Sequence, residues 1–483
     1  MESSTLKRRS RTLTNSKRNR QYGVITYLFV AIFLALIVYF AYFMIFKSSD
    51  YINSSYNPRL DSFSETIVRG SILSSDGEVL AQTIVDSDNN ETREYPYDEI
   101  FAHVVGYDSN GKSGLELSRN SYLLQSHAFF IEKIINNIKN EKNIGDNVVT
   151  TLNVSVQKAA YEALGNYDGA VVAIKPSTGE VVAMVSKPDY DPNNISDIWD
   201  ELTSEDSDSS ALLNRATQGL YPPGSTFKVI TTLEYLKENN NSIKDYSYNC
   251  SGSITRGDTT INCYKGEVHG MQNLKESFAD SCNTSYANIG LGLDIKSYIS
   301  LCNSMLFNKK IKFELTTKAS EFDLDTSDSE GMIMQTAIGQ GETLVSPLHM
   351  ALLAAGVDNG GVVMQPYLVD RIENYQQTTI ESFDSDEYAT LMDEKEAKIL
   401  KKFMRYAVTN GTASALSSNS YKAYGKTGTA EFNSNKDSHA WFIGFASKEG
   451  YEDLAIAVIV EDTGAGSKYA VPVADKVFDA YFK

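Results

Sequence analysis

The chain has 483 residues, 42% hydrophobic and 22% charged, with a net charge of −18; this is an ordinary globular balance at a length that suggests two or three domains. Residues 1–21 hold Lys7, Arg8, Arg9, Arg11, Lys17, Arg18 and Arg20 against Glu2, a net of +6, so taking this tail from the total leaves −24 on the rest. An acidic body lacks the basic footprint that nucleic-acid binding requires; it suits a soluble, self-repelling domain, although acids on solvated faces give the same sum.

Tyr22–Phe46 carries no charge. As a helix of 25 residues it would span roughly 37 Å, enough to cross a hydrocarbon core of about 30 Å with some tilt. Tyr22, Tyr27, Tyr39 and Tyr42 lie near its ends, where aromatic belts sit, and the basic residues precede it, which predicts a cytoplasmic tail over 1–21 and an extracellular remainder. A cleavable signal peptide is the competing reading; its apolar core is shorter and ends in small residues, whereas this one ends Met44-Ile45-Phe46-Lys47. The pattern favours an uncleaved, single-pass anchor in the cell membrane.

After the anchor, residues 47–150 predict a small α+β module. Arg69–Ala81 alternates around a Ser-Asp-Gly turn and reads as a hairpin; 86–99 is acidic and reads as a loop; 128–139 has helical periodicity. A second module, 151–483, opens with a helix capped by Asn153 and two strands, Gly169–Ile174 and Glu180–Ser186. Pro222-Pro223-Gly224 ends what precedes it, so a helix begins near Ser225. Much of 225–410 reads as helical. Strands follow at Lys422–Glu431, Ala440–Ala446 and Leu454–Glu461, then a helix over Val471–Phe482. The order predicts a mixed α/β domain whose sheet joins both ends of the segment.

Cys250, Cys263, Cys282 and Cys302 are too few for a disulfide scaffold. With no C-x-x-C pair the chain lacks zinc-finger and thioredoxin spacing, and no metal is expected. Cys250 and Cys263 flank a hairpin turning at Arg256-Gly257-Asp258; they either pair across it or remain free thiols.

Three short motifs occur in order: Ser225-Thr226-Phe227-Lys228, Ser281-Cys282-Asn283 and Lys426-Thr427-Gly428-Thr429. Singly each is weak, since Ser155–Lys158 also matches S-x-x-K and Ser247-Tyr248-Asn249 matches S-x-N. Jointly they hold the parts of an acyl-transfer site. A serine hydroxyl needs a base, and a lysine three residues on along a helix can reach it. That lysine must be neutral, which burial or a neighbouring cation such as Lys426 can bring about. Ser281 could relay a proton, Asn283 could hold a peptide backbone, and Lys426 could hold a carboxylate. Cys282 reads as a small buried thiol without reactivity.

The triple resembles the serine penicillin-recognising enzymes. Gly219–Gly224 before Ser225, Ile338-Gly339-Gln340-Gly341 with Ser346-Pro347, and His439–Phe445 resemble class B penicillin-binding proteins, and Arg69–Ala81 with Gly111–Glu116 resembles their pedestal or dimerisation-like module. The resemblance implies an N-terminal anchor, a pedestal, and a transpeptidase domain with a five-stranded antiparallel sheet flanked by helices. It implies Ser225 as nucleophile toward D-Ala-D-Ala stem peptides of peptidoglycan, Lys228 as its base, and Ser281 as proton relay to the leaving D-alanine. Asn283 would bind the donor peptide, and Lys426, Thr427, Gly428 and Thr429 the terminal carboxylate. The backbone N–H groups of Ser225 and Thr429 would make the oxyanion hole. β-Lactams would acylate Ser225, and no cofactor is implied. Arg69 and Glu116 are expected to form an ion pair joining the two modules.

Between anchor and first strand there is no pattern of a glycosyltransferase domain of roughly 150 or more residues. The resemblance therefore implies a monofunctional transpeptidase relying on a polytopic lipid-II glycosyltransferase partner. A β-lactamase, a β-lactam sensor and a D,D-carboxypeptidase use the same acyl-serine chemistry. The anchor and pedestal argue against the first, the short tail against the second. The third differs only in whether water or an amine takes the acyl group.

Overall fold

The computed structural model describes residues 2–47, 64–139, 141–204, 206–417, 420–431 and 437–483. It divides into two units, 1–61 and 62–483. The first is the helix Glu2–Phe46, whose stretch Tyr22–Met44 is long and apolar enough to cross a membrane.

The second unit is built on two sheets. The larger core surrounds an antiparallel sheet ordered Lys422–Ala430, His439–Ser447, Leu454–Val460, Gly169–Ile174, Val181–Lys187. The late strands thus pair with the early ones, as the element order predicts. Side chains alternate across a strand, and here both faces are buried. Trp441, Ile443 and Phe445 enter one core with Leu348 and Leu352 of the helix Pro347–Asp358. Ala440, Phe442 and Ala446 enter the other with Val473, Val477 and Phe478 of the helix Gly466–Tyr481. This accounts for strands that read as continuous apolar runs.

Asn153 caps the helix Val154–Leu164 by accepting from the Val156 N–H, as its position before the apolar run implies. The closing helix starts at Gly466, a turn earlier than expected, and carries Pro472 inside it. Its start is fixed by packing: a Cβ on Gly466 would lie 2.2 Å from the Trp441 carbonyl oxygen and 2.4 Å from that of Gly428.

The second sheet has six strands, ordered Thr379–Ser382, Val369–Glu373, Asn147–Thr150, Ile72–Leu73, Val79–Val85, Glu91–Glu94. Two corrections arise here. The stretch 86–99 is not wholly loop, because Glu91–Glu94 pairs with Gln82–Val85 and buries none of its residues fully, so no apolar alternation marks it. The strands within 369–382, inside a stretch read largely as helical, join the sheet of the N-terminal module.

Arg69 and Glu116 do pair, but within the N-terminal module rather than between modules. Arg69 Nε donates to Glu116 Oε2 at 2.6 Å, Arg93 Nε to Glu116 Oε1 at 2.8 Å, and Arg69 also bonds Asn120. Burial pushes the Glu116 carboxyl up, yet the two guanidinium groups outweigh it and hold its pKa below the usual range. Glu116 has no exposed surface, so Glu116→Ala strands two buried cations. We expect a loss of about 3–5 kcal/mol, measured by chemical denaturation of the full chain in detergent, whereas Lys139→Ala, on the exposed pair with Glu141, should cost under about 1 kcal/mol. A depressed carboxyl stabilises above its unfolded pKa, and that contribution disappears as pH falls through the folded value.

Candidate active site

The turn that carries Ser225 is held from two sides. The Gly224 N–H donates to the Gly339 carbonyl at 2.8 Å, and Trp441 Nε1 donates to the Pro222 carbonyl at 3.0 Å. Gly224 has φ +51, and a Cβ there would stand 2.5 Å from the Thr429 carbonyl oxygen. Only glycine lets the edge strand run this close to the turn. The chain then makes a short 3-10 turn, Gly224–Phe227, and continues as the helix Lys228–Glu238. Phe227 anchors it among Tyr298, Phe307 and Phe322.

This leaves Ser225 half-buried at the cleft while Lys228 is wholly buried. Lys228 Nζ lies 2.7 Å from the Ser281 carbonyl oxygen, 2.7 Å from Asn283 Oδ1 and 3.3 Å from Ser281 Oγ. Lys426 Nζ donates to Ser281 Oγ at 2.9 Å and to the Thr427 carbonyl at 3.0 Å. One hydroxyl therefore lies between two buried amines. Burial pushes Lys228 down to about 7. Burial first, then repulsion from Lys228, holds Lys426 well below the ordinary lysine range, with Asp280 opposing. Both amines are thus driven toward their neutral forms.

Ser281 has φ +57, a conformation that costs a non-glycine residue of order 1–3 kcal/mol and persists only where its surroundings fix it. It is fixed here by its carbonyl on Lys228 and by the next N–H, of Cys282, donating to Ser277 at 3.0 Å. The helix Asn283–Gly292 begins at the next motif position.

Ser225, Ser281, Asn283, Thr427, Gly428 and Thr429 line one cleft of roughly 1640 Å³, with Lys228 and Lys426 buried beneath it. Three segments far apart in the chain thus meet in one place. The other S-x-x-K match does not join them: Ser155–Lys158 sits on the helix Val154–Leu164, with Lys158 over the Tyr97 ring. Lys422–Ala430 is the edge strand of its sheet, and among the described residues no strand pairs its outer edge. Two further pairings at the cleft involve groups outside the three motifs. Thr412 shares a 2.6 Å hydrogen bond between hydroxyls with Thr427. Gln340, with its amide oriented to suit, meets the Glu431 carbonyl at 2.9 Å and N–H at 3.1 Å. Neither pairing has a sequence signal, because each depends on where a loop meets the edge strand or its end.

Of the two alternatives left open for Cys250 and Cys263, a disulfide or free thiols, the structure shows the second. Both are free thiols, 3.6 Å apart. The hairpin strands are Ser253–Arg256 and Thr259–Asn262; Cys250 lies outside it and faces Gly270 in another ribbon.

Comparison with known proteins identifies the family. Residues 169–479 match the penicillin binding protein transpeptidase domain, and 69–148 the penicillin binding protein A dimerisation domain. The chain is 32% identical over 449 residues to the peptidoglycan D,D-transpeptidase PbpA of Mycolicibacterium smegmatis, covering 86% of this chain and 88% of that one. Among solved structures it is similar to penicillin-binding protein A from M. tuberculosis in its ceftriaxone acyl-enzyme complex, at TM-score 0.78 and 28% identity over 88% of this chain and 100% of that one. It is also similar to a D,D-transpeptidase domain from Eggerthella lenta, at TM-score 0.76 and 29% identity over 85% and 97% of the two chains. The chain belongs to the penicillin-binding protein transpeptidase family.

Proposed function

We propose that the chain is a peptidoglycan D,D-transpeptidase that cross-links stem peptides through an ester on Ser225. The observation that carries the reading is the meeting of Ser225, Ser281, Asn283 and Thr429 in one cleft above two buried amines.

In this mechanism Lys228 is neutral. Its two N–H groups go to the acceptor-only oxygens of Ser281 and Asn283, which leaves its lone pair for a proton. Ser225 Oγ attacks the penultimate D-alanine carbonyl, its proton passes to Lys228, and the carbonyl electrons move onto the oxygen. The backbone N–H groups of Ser225 and Thr429 hold that oxyanion, each worth about 3 kcal/mol. Ser281 Oγ accepts from Lys426, so its own proton is free to go to the leaving D-alanine nitrogen while Lys228 returns the proton it took to Ser281 Oγ. The C–N bond breaks, an ester remains, and a second stem-peptide amine resolves it, losing a proton as Ser225 regains one.

Lys426, Thr427, Gly428 and Thr429 take the terminal carboxylate. An anion within about 4–6 Å favours the charged form of an amine, so substrate binding returns the proton that burial drives from Lys426. The unpaired outer edge of its strand offers backbone groups to an extended peptide. β-Lactams present the same carboxylate and a strained amide, and would acylate Ser225.

The same reading divides the chain into a cytoplasmic tail at 1–21, an anchor at 22–46, a pedestal at 47–150 and the transpeptidase domain at 151–483. The body then lies outside the membrane, as the basic residues before the apolar stretch favour. Glycan strands come from a separate polytopic lipid-II glycosyltransferase.

Fluorescent penicillin should label the full chain, and Ser225→Ala should abolish labelling; a variant that still labels places the nucleophile elsewhere. Lys228→Ala should slow acylation by about 10²–10⁴-fold with circular dichroism unchanged, and an undiminished rate would remove Lys228 from the role of base. Because only neutral Lys228 accepts a proton, the acylation rate should fall about tenfold per pH unit below about 7 and level off above it. A rate flat across that range would sink the assignment. Mass spectrometry of products from donor and acceptor stem peptides should show the cross-linked dimer in excess of the hydrolysed donor.

A further inference from the structure

Behind the second motif lies a group of side chains that the acyl-transfer chemistry does not use. Cys250, Cys263 and Cys282 are buried free thiols, and with His269 their ligand atoms all lie within 4.8 Å of one another. Cys250 Sγ is 3.6 Å from Cys263 Sγ, Cys263 Sγ is 3.7 Å from Cys282 Sγ, and His269 Nδ1 is 3.4 Å from Cys250 Sγ.

These separations match the edges of a tetrahedron around one ion. Zinc–sulfur bonds of about 2.3 Å and zinc–nitrogen bonds of about 2.0–2.1 Å give sulfur–sulfur edges near 3.8 Å and sulfur–nitrogen edges near 3.5 Å. A disulfide would need about 2.05 Å between sulfurs and could engage only two of the three. The shell around the ligands also fits. Thr284 Oγ1 lies 3.2 Å from Cys250 Sγ, 3.4 Å from Cys282 Sγ and 3.6 Å from Cys263 Sγ, in reach to donate to a thiolate. The far ring nitrogen of His269 faces the Glu267 carboxylate at 3.7 Å, the kind of contact that orients a ligating imidazole.

We propose that Cys250, Cys263, Cys282 and His269 bind one tetrahedral zinc ion that holds Ser281 and Asn283 in place. Four ligands with no open position make a structural site rather than a catalytic one. Binding deprotonates the three thiols and releases their protons.

The placement gives the ion its purpose. Cys250 ends the strand Ser247–Cys250, Cys263 follows the strand Thr259–Asn262, and Cys282 lies between Ser281 and Asn283. One ion would tie a ribbon and a hairpin to the residue between two groups that touch Lys228. Asn283 Nδ2 already donates to the Asn262 carbonyl at 2.9 Å, so the hairpin end and the motif are in contact. Cys263 and His269 also line the cleft. The ribbon and hairpin are short, and two-stranded ribbons are marginally stable by themselves; a metal cross-link offsets that. Spacing hid the site, since neither C-x-x-C nor H-x-x-x-H occurs and the ligands come from separate turns.

The metal site stands independently of the acyl-transfer reading; its positioning role rests on it. Full-length protein purified in detergent without chelator should carry one zinc per chain by inductively coupled plasma mass spectrometry. Cobalt exchanged into the site should give sulfur-to-metal charge-transfer bands and tetrahedral ligand-field bands. Cys263→Ser should lose the metal, His269→Ala, at a partly buried position, should bind it at least tenfold more weakly, and Cys302→Ala, outside the cluster, should keep it. Protein that neither carries zinc nor takes it up when titrated with zinc chloride would overturn the site, as would a Cys250–Cys263 disulfide in the intact mass. Stripping the zinc should slow fluorescent-penicillin acylation roughly 10–100-fold, with recovery on adding zinc back. A stripped sample that acylates at the original rate would overturn the positioning role while leaving the metal count to decide the site.

Discussion

The cleft depends on one hydroxyl shared by two buried amines. A charged lysine with no exposed surface is costly unless compensated, and Lys228 and Lys426 both reach Ser281 Oγ. Burial drives both amines toward their neutral forms, and for Lys426 repulsion from Lys228 adds to it. The neutrality that base chemistry needs thus follows from packing. It requires that the start of one helix, the turn before another and the edge of a sheet come within hydrogen-bond distance at one point.

Glycine makes that approach possible. Gly224 and Gly339 both have positive φ, and a Cβ on Gly339 would stand 2.0 Å from the Gly224 carbonyl oxygen. The Gly-Gln-Gly loop, the Ser225 turn and the edge strand therefore stack backbone against backbone. A methyl group at either glycine would push Ser225 away from Thr429. The strain at Ser281 belongs to the same economy of space, since its left-handed turn aims both carbonyl and hydroxyl at Lys228.

How much of this was legible in the sequence depends on the range of the interaction. Asn153 announces a helix start, because capping acts within three residues. The late strands could be placed from their apolar runs, and their pairing with Gly169–Ile174 from element order. The motif triple placed its residues in one cleft only through their joint order, since the chemistry of each is weak evidence alone. What could not be read depends on distant chain segments meeting. Glu91–Glu94 forms a strand because Gln82–Val85 offers it an edge, not because of its own pattern. Val369–Glu373 pairs with Asn147–Thr150, more than two hundred residues earlier. The cysteines are ordinary small hydrophobes until three turns bring their sulfurs together.

The late recruitment of 369–382 has a mechanical consequence. Val369–Glu373 pairs with Asn147–Thr150, the strand that leads into the capped helix of the larger domain. At that junction the Thr151 N–H donates to the Leu368 carbonyl at 2.8 Å and its hydroxyl to the Val181 carbonyl at 2.7 Å, while Glu180 bridges to Tyr367. One residue is thus bonded to the chain entering the six-stranded sheet and to the far strand of the five-stranded one. A hinge at this boundary would have to break backbone pairing on both sides, and buried backbone groups are rarely left unpaired. The N-terminal module and the five-stranded sheet are consequently one mechanical body. The position of the cleft relative to residue 64 is set by sheet register rather than by a linker, and the Arg69–Glu116–Arg93 cluster secures the end of that body nearest the chain's entry.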